Sequence, residues 1–256
     1  KFTYYVGPKE YAALKALGNH QSDIMEFGWN VAAFEWFGWL CGALLWVLNT
    51  IHHVVPNYGV AVILLTVIVR ILFWPVTHKS TESMKRMQEM QPLVAELKKK
   101  YKDNAQKLNQ ETMALYKEHK VNPLAGCLPM VVQIPVFIAL FVVLRSAVEL
   151  RFAPFLWIKD LSEPEGLFAG VLPFSVNILP FLMTATTVLQ QKLTPSTADP
   201  QQQKLMMFMS VIMLFLFYSM PSALLLYWTV SQGLAIVQLV MQKRTAALKA
   251  AVKRVV

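Results

Sequence analysis

One arginine stands where a charge is costly. Arg70 occurs in Val67-Ile68-Val69-Arg70-Ile71-Leu72-Phe73, inside an apolar run reaching from Tyr58 to Thr77. As a helix, this run crosses the ~30 Å of a bilayer's hydrocarbon core, with Arg70 about 10.5 Å from its later end, farther than a guanidinium comfortably snorkels. A charge at that depth costs at least ~2.5–3.5 kcal/mol on insertion scales, so it must face water or a polar partner. A neighbouring carboxylate is the plain alternative, yet no Asp or Glu occurs in any of the five apolar spans assigned below. The chemistry open to such a group is noncovalent capture of carboxylate or carbonyl oxygen.

Polar residues on other spans recur at intervals that put each set on one helix face. Thr66 lies four residues before Arg70, and Gln133 interrupts a second apolar run. Asn177, Thr184 and Gln191 follow at seven-residue intervals in a third, and Tyr227, Ser231, Gln238 and Gln242 fall at helical spacing in the last, with Trp228 and Gln232 beside them. Any one of these reads as an interhelical hydrogen bond. Four helices turning polar stripes toward one interior imply a wet cavity. Met206, Met209, Met213, Phe217 and Met220 form a contrasting strip of flexible, polarizable side chains, suited to varied apolar shapes or to ordinary packing.

The elements that must hold these residues follow from composition. Of 256 residues, 55% are hydrophobic and 15% charged. The mean hydropathy is +0.43, too apolar for a soluble domain of this length. Runs long enough to cross a bilayer extend from Tyr58 to Thr77, Leu128 to Val148, Val171 to Gln190, Leu205 to Met220 and Ser222 to Gln242. The turn at Pro221 is so short that the last two form an antiparallel pair. Trp29 to Val55 contains Glu35 and scattered tryptophans, which favours a helix in the membrane interface, although Gly38-x-x-x-Gly42 would also suit a crossing helix.

The net charge of +9 is concentrated in blocks. Lys79 to Lys120 is strongly basic and is expected on the cytoplasmic side, with the tail from Lys243 to Arg254, leaving the N-terminal segment outside. Within that loop, Met84 to Tyr101 and Ala105 to His119 carry apolar residues at helical spacing, predicting a helical hairpin whose stripes pack on each other or offer a docking surface. The expected organisation is therefore a periplasmic remnant at 1–28, an interfacial amphipathic helix at 29–57, a five-helix core at 58–78 and 128–242, a cytoplasmic hairpin loop at 79–127 and a basic tail at 243–256. The opening Lys1-Phe2-Thr3-Tyr4-Tyr5 alternates like a strand and has no start methionine, so the chain is expected to continue something longer.

Several chemistries find no residues. Cys41 and Cys127 sit in or beside apolar stretches and read as small apolar residues, too few for a bridged framework or a thiolate metal site. There is no Gly-x-Ser-x-Gly, no His-Glu-x-x-His, no intramembrane aspartate pair and no phosphate-binding glycine loop, so neither an enzyme nor a cofactor is expected. A small-anion transporter or channel also uses buried arginine and polar stripes, but no internal repeat of the kind common in transporters is visible.

The sequence resembles the YidC/Oxa/Alb family of membrane protein insertases, specifically the C-terminal conserved region of the bacterial YidC type, over nearly the whole chain. The likeness is carried by Tyr5-Val6-Gly7-Pro8, by Val69-Arg70 with Pro75-Val76-Thr77, and by Met87 through Gln91-Pro92. It continues through Val121-Asn122-Pro123-Leu124-Ala125-Gly126-Cys127-Leu128-Pro129, Gln133-Ile134-Pro135-Val136-Phe137, Leu226-Tyr227-Trp228 and Val230-Ser231. The resemblance implies a five-span, all-helical protein of the bacterial inner membrane with a hydrophilic groove open to cytoplasm and lipid and closed outside. It places Arg70 at the groove's centre, with Thr66, Gln133, Gln191, Tyr227 and Trp228 as lining or substrate-contacting positions, to which the polar stripe adds Ser231. Nascent membrane proteins are the implied substrates. Met206, Met209, Met213 and Phe217 offer an apolar exit path, and the ribosome, the Sec translocon, signal-recognition components and membrane lipids are the expected partners. The tail is read first as fixing topology, with contact to ribosomal RNA or to anionic lipid as the alternative, between which the sequence does not choose.

Overall fold

In the computed structural model, residues 7, 14, 16–17, 35–102, 104–119, 121–122, 128–168, 175–196 and 200–255 are described. The fold is all-helical: α1 (Glu35–Val54), α2 (Tyr58–Glu89), α3 (Gln91–Lys100), α4 (Ala105–Glu118), α5 (Leu128–Ser146), α6 (Leu179–Leu193), α7 (Pro200–Phe217) and α8 (Ser222–Val255), with a single 3-10 turn at Val148–Leu150. Residues 1–6, 29–34, 123–127 and 171–174, which carry the N-terminal motif, the start of the expected interfacial helix, most of the Asn-Pro motif with Cys127, and the start of the third expected span, lie outside the described residues.

Helix α2 begins at Asn57, whose side chain accepts the Val60 amide at 3.1 Å and so satisfies one of the amides left free at a helix start. It does not stop where the apolar run stops. The helix continues through Pro75 into the basic segment and ends at Met90, so the hairpin's first helix is α3 rather than one starting at Met84. Pro75 removes one amide from the ladder, yet the helix runs on through it. The hairpin's base closes on a small cluster of Met87, Met90 and Val121, with Leu115 and Tyr116 against it, while Leu93 and Met113 stay exposed.

The core lies between α1, α2, α5 and α8. Ala61, Val62, Leu65 and Val69 face it from α2, Val136, Ala139, Leu140, Val143 and Leu144 from α5, and Ala223 through Tyr227 from α8. Helix α1 contributes Cys41, Leu44, Leu45 and Leu48, and the Cys41 thiol points to the Ala139 carbonyl at 3.8 Å. Its opposite face exposes Trp39 and Trp46. A Cβ on Gly38 would meet nothing within 4 Å, so no close helix seam exists at that glycine.

Length and composition make α1 (from Phe37), α2 and α8 (to Thr245) able to cross a membrane, and parts of α5 and α7 form shorter apolar helices. This differs from the five runs expected. Helix α1 qualifies despite its tryptophans, and α6, with 15 residues, measures about 22 Å, short of the ~30 Å hydrocarbon core. The third run starts its helix late because Asn177 and Ile178 are engaged by other groups, as described below.

Helix α8 also continues past its apolar part, carrying the basic tail as the same helix.

Candidate functional site

Arg70 sits in the thirteenth position of α2, level with Ser231, the tenth residue of α8. Its Nε donates to Ser231 Oγ at 3.1 Å and its Nη2 to the Ser231 carbonyl at 2.7 Å. These bonds use two of the five guanidinium N–H donors. Among the described residues no carboxylate pairs with Arg70; the Arg86–Glu82 ion pair lies further along α2 and is exposed. The helices holding the pair run parallel, because Thr77 and Gln238, each seven residues further on, also meet, with Gln238 Nε2 donating to Thr77 Oγ1 at 3.1 Å. His78 and Gln242 follow at 2.7 Å.

The remaining candidates fall around this ladder in pairs. Gln133 of α5 donates to the Tyr227 hydroxyl at 2.6 Å, and Tyr227 is buried. Trp228 donates from Nε1 to Thr187 Oγ1 at 3.3 Å, linking α8 to α6. Gln191 donates to Ser210 Oγ at 2.7 Å, linking α6 to α7. Thr66 is fully buried and returns its hydroxyl to the Val62 carbonyl at 2.6 Å. Arg70, Gln133, Gln191 and Trp228 are half-buried, whereas Thr66 and Tyr227 are buried.

The apolar strip divides. Met206 and Met209 are each 48% exposed, Met213 is half-buried against the core, and Phe217 is buried. Phe217 joins an aromatic cluster with Phe137 and Trp228, the Phe137 and Trp228 rings meeting edge-on at 4.9 Å between centroids. Phe137 closes the Gln133-Ile134-Pro135-Val136-Phe137 motif but was not among the expected site residues.

At the end where α2 and α8 begin, an ordered loop closes the bundle. The Glu163 carbonyl accepts from the Ser222 amide at 2.9 Å and hydroxyl at 2.6 Å, and the Leu161 carbonyl accepts from Ala223 at 2.9 Å, covering the free amides of α8. Glu165, buried, accepts from Trp157 Nε1 at 2.7 Å and from the amides of Ile178 and Leu179, capping α6. Phe155 lies against Gly59, where a Cβ would stand 2.1 Å from its ring. Asn177, expected on the polar stripe of α6, instead precedes that helix, donating to the Tyr218 carbonyl at 2.8 Å and accepting from Gly166 at 2.9 Å. Its heptad spacing to Thr184 is coincidental, because the helix has not begun.

A model of the family described as 60Kd inner membrane protein matches residues 50–249. A membrane protein insertase YidC from Pelobacter propionicus is 49% identical over 237 residues, covering 91% of this chain and 42% of that protein. One of the same name from Syntrophus aciditrophicus is 47% identical over 240 residues, covering 93% and 41%. The chain thus spans about two fifths of the length of these curated relatives. A crystal structure described as an active YidC insertase with the first transmembrane domain resolved superimposes with a TM-score of 0.61 at 32% identity, covering 92% of this chain and 53% of that one. None of these relatives is named a transporter or channel. The chain belongs to the 60Kd inner membrane protein family, with the YidC membrane protein insertases as its relatives.

Proposed function

We propose that this chain is the membrane-embedded part of an insertase and that Arg70 receives the hydrophilic segment of an incoming membrane protein. The observation that carries this is the guanidinium's pairing. Held by one serine and no carboxylate, it keeps both its charge and free donors for a guest's carboxylate or carbonyl oxygens. Gln133, Gln191 and Trp228 replace part of the guest's water, while buried Ser231 holds Arg70 and Thr66 and Tyr227 lie beneath. Met206 and Met209 offer a yielding apolar surface along which the guest helix leaves for lipid, with Met213 and Phe217 behind them. No covalent step is needed.

In this reading α2, α5, α6, α7 and α8 cross the inner membrane and α1 lies in its interface, its exposed tryptophans at headgroup level. The basic hairpin and the end of α8 face the cytoplasm, and the loop from 148 to 168 faces outward. Nascent membrane proteins are the substrates. The ribosome, the Sec translocon, signal-recognition components and membrane lipids are the partners that this orientation allows.

Photocrosslinking tests the reading. Probes at Gln133, Trp228 and Met209 should react with a stalled ribosome-bound nascent chain carrying one short membrane helix, and a probe at lipid-facing Leu64 should not. Silence at all three positions while the chain inserts would move the path elsewhere.

A further inference from the structure

The loop between α5 and α6 leaves large apolar side chains in the open. Phe152 is 84% exposed, Leu156 76%, Phe168 61% and Trp157 42%. Phe152, Leu156 and Phe168 are also the non-glycine residues with positive φ among the described residues, at 58°, 51° and 59°. A bulky side chain disfavours that backbone region, and water disfavours the exposed apolar surface. Both costs fall on the same three residues.

The loop around them is not slack. Phe155 and Ile158 exchange backbone hydrogen bonds at 2.9 and 2.8 Å, and Leu161 donates to Ala153 at 3.1 Å. Leu150, Ile158 and Leu161 are buried. The loop therefore sorts its apolar residues into an inward set and an outward set, and the left-handed backbone belongs to the outward one.

Its level in the bundle is fixed by its contacts. It is bonded to Ser222 and Ala223 at the start of α8, to Leu179 at the start of α6, and through Asn57 and Gly59 to the start of α2. The apolar stretches of α2 and α8 begin at Tyr58 and Ser222, so a bilayer crossed by these helices would begin at the level of the loop. Exposed Arg151 and Lys159 interleave with the apolar residues, while Glu165 is turned inward and Asp160 is engaged by Ser162, leaving Glu163 as an exposed acid. Aromatic, aliphatic and basic side chains mixed at one level are what a lipid interface accepts.

We propose that this loop is a lipid-contact surface. Phe152, Leu156, Phe168 and the ring of Trp157 enter the headgroup–acyl boundary of the adjoining leaflet, and Arg151 and Lys159 meet phospholipid phosphates. The loop then does more than cap helices: it anchors the closed end of the bundle in the leaflet opposite the one the groove opens toward. Bilayer phospholipid is the occupant, because the apolar residues are continuous in depth with the lipid-facing spans.

The test uses the full-length protein in vesicles of phosphatidylethanolamine and phosphatidylglycerol, with Cys41→Ala and Cys127→Ala as background. Nitroxide labels at Phe152→Cys, Leu156→Cys and Phe168→Cys are compared with Glu163→Cys, by collision with oxygen and with a water-soluble nickel chelate. The three should favour oxygen, with nickel accessibility several-fold below that of the Glu163 site. Because a label could disturb a left-handed residue, Arg151→Cys, where φ is −66°, reads the depth of the backbone independently and should also be less accessible to nickel than the Glu163 site. Nickel accessibility equal to the Glu163 site overturns the proposal. So do immobile labels that neither reagent reaches, which would mean that protein, a partner or a second copy, covers the loop.

Discussion

Gln238 meets Thr77 at the same separation of 161 residues at which Ser231 meets Arg70. Two parallel helices are thus in register across two turns, and the charge sits inside a ladder rather than at an isolated contact. Ser231 holds the guanidinium at a fixed place on α8 without neutralising it, which is the arrangement a capture site needs.

Replacing Arg70 by Ala should lower insertion of a strictly dependent single-span substrate by about tenfold to hundredfold, the worth of one charge-assisted hydrogen bond of ~1.5–3 kcal/mol. Arg70→Lys should retain part of the activity, and Arg70→Glu should lose more than Ala. Protease protection of the inserted substrate reads this directly. Wild-type insertion by both the Ala and the Glu variants would remove the charge from the mechanism.

Gly59→Ala should destabilise the folded protein by about 1–3 kcal/mol, because its new Cβ would collide with the Phe155 ring. Thermal unfolding in detergent gives the value, and the penalty should shrink when Phe155→Ala is made first. A penalty of the same size in both backgrounds would place the strain elsewhere.

Glu165→Ala should open the start of α6, leaving the Ile178 and Leu179 amides and the Trp157 indole without their acceptor, at about 1–3 kcal/mol. Glu165→Gln, which keeps one acceptor oxygen, should cost less. Faster amide exchange confined to the first turn of α6 is the expected signature, and unchanged exchange there would deny the cap.

Asp160 gives the loop a pH dependence. Burial pushes its carboxyl up, but hydrogen bonds from the Ser162 hydroxyl and amide and from the Phe152 backbone, with the nearby charge of Arg151, outweigh this and hold it below the ordinary 3.8. A carboxylate depressed on folding stabilises the folded loop above 3.8 and loses that contribution as pH falls through its folded value. The stability difference between wild type and Asp160→Asn should therefore be constant from neutral pH to about pH 4 and shrink below it. A difference that grows on acidification would reverse the assignment.

Much of the candidate site was legible because membrane helices obey two simple periodicities. Arg70 announced itself by the absence of any acid in the apolar spans, and Ser231 and Gln238 by their seven-residue spacing, which parallel packing then repeats on α2. The junctions were harder to read. Hydropathy marks where lipid ends, not where a helix ends, so the continuation of α2 to Glu89 and of α8 to Val255 carried no apolar signal. The loop's bonds join residues far apart in sequence, such as Glu163 to Ser222, and no local pattern encodes them. Nor could spacing alone tell that Phe217 turns inward while Met206 and Met209 turn outward.

The 34 residues of α8 form one uninterrupted helix, about 51 Å long at ~1.5 Å per residue, against the ~40–45 Å of a whole bilayer with its headgroups. Ser231, which grips Arg70, sits in the same helix as the basic end. That end is joined by continuous helix to the residue that holds Arg70. A load applied to it acts on a lever whose far tip is pinned by the Leu161 and Glu163 carbonyls, and whatever tilt results is delivered at Arg70 without a joint to absorb it.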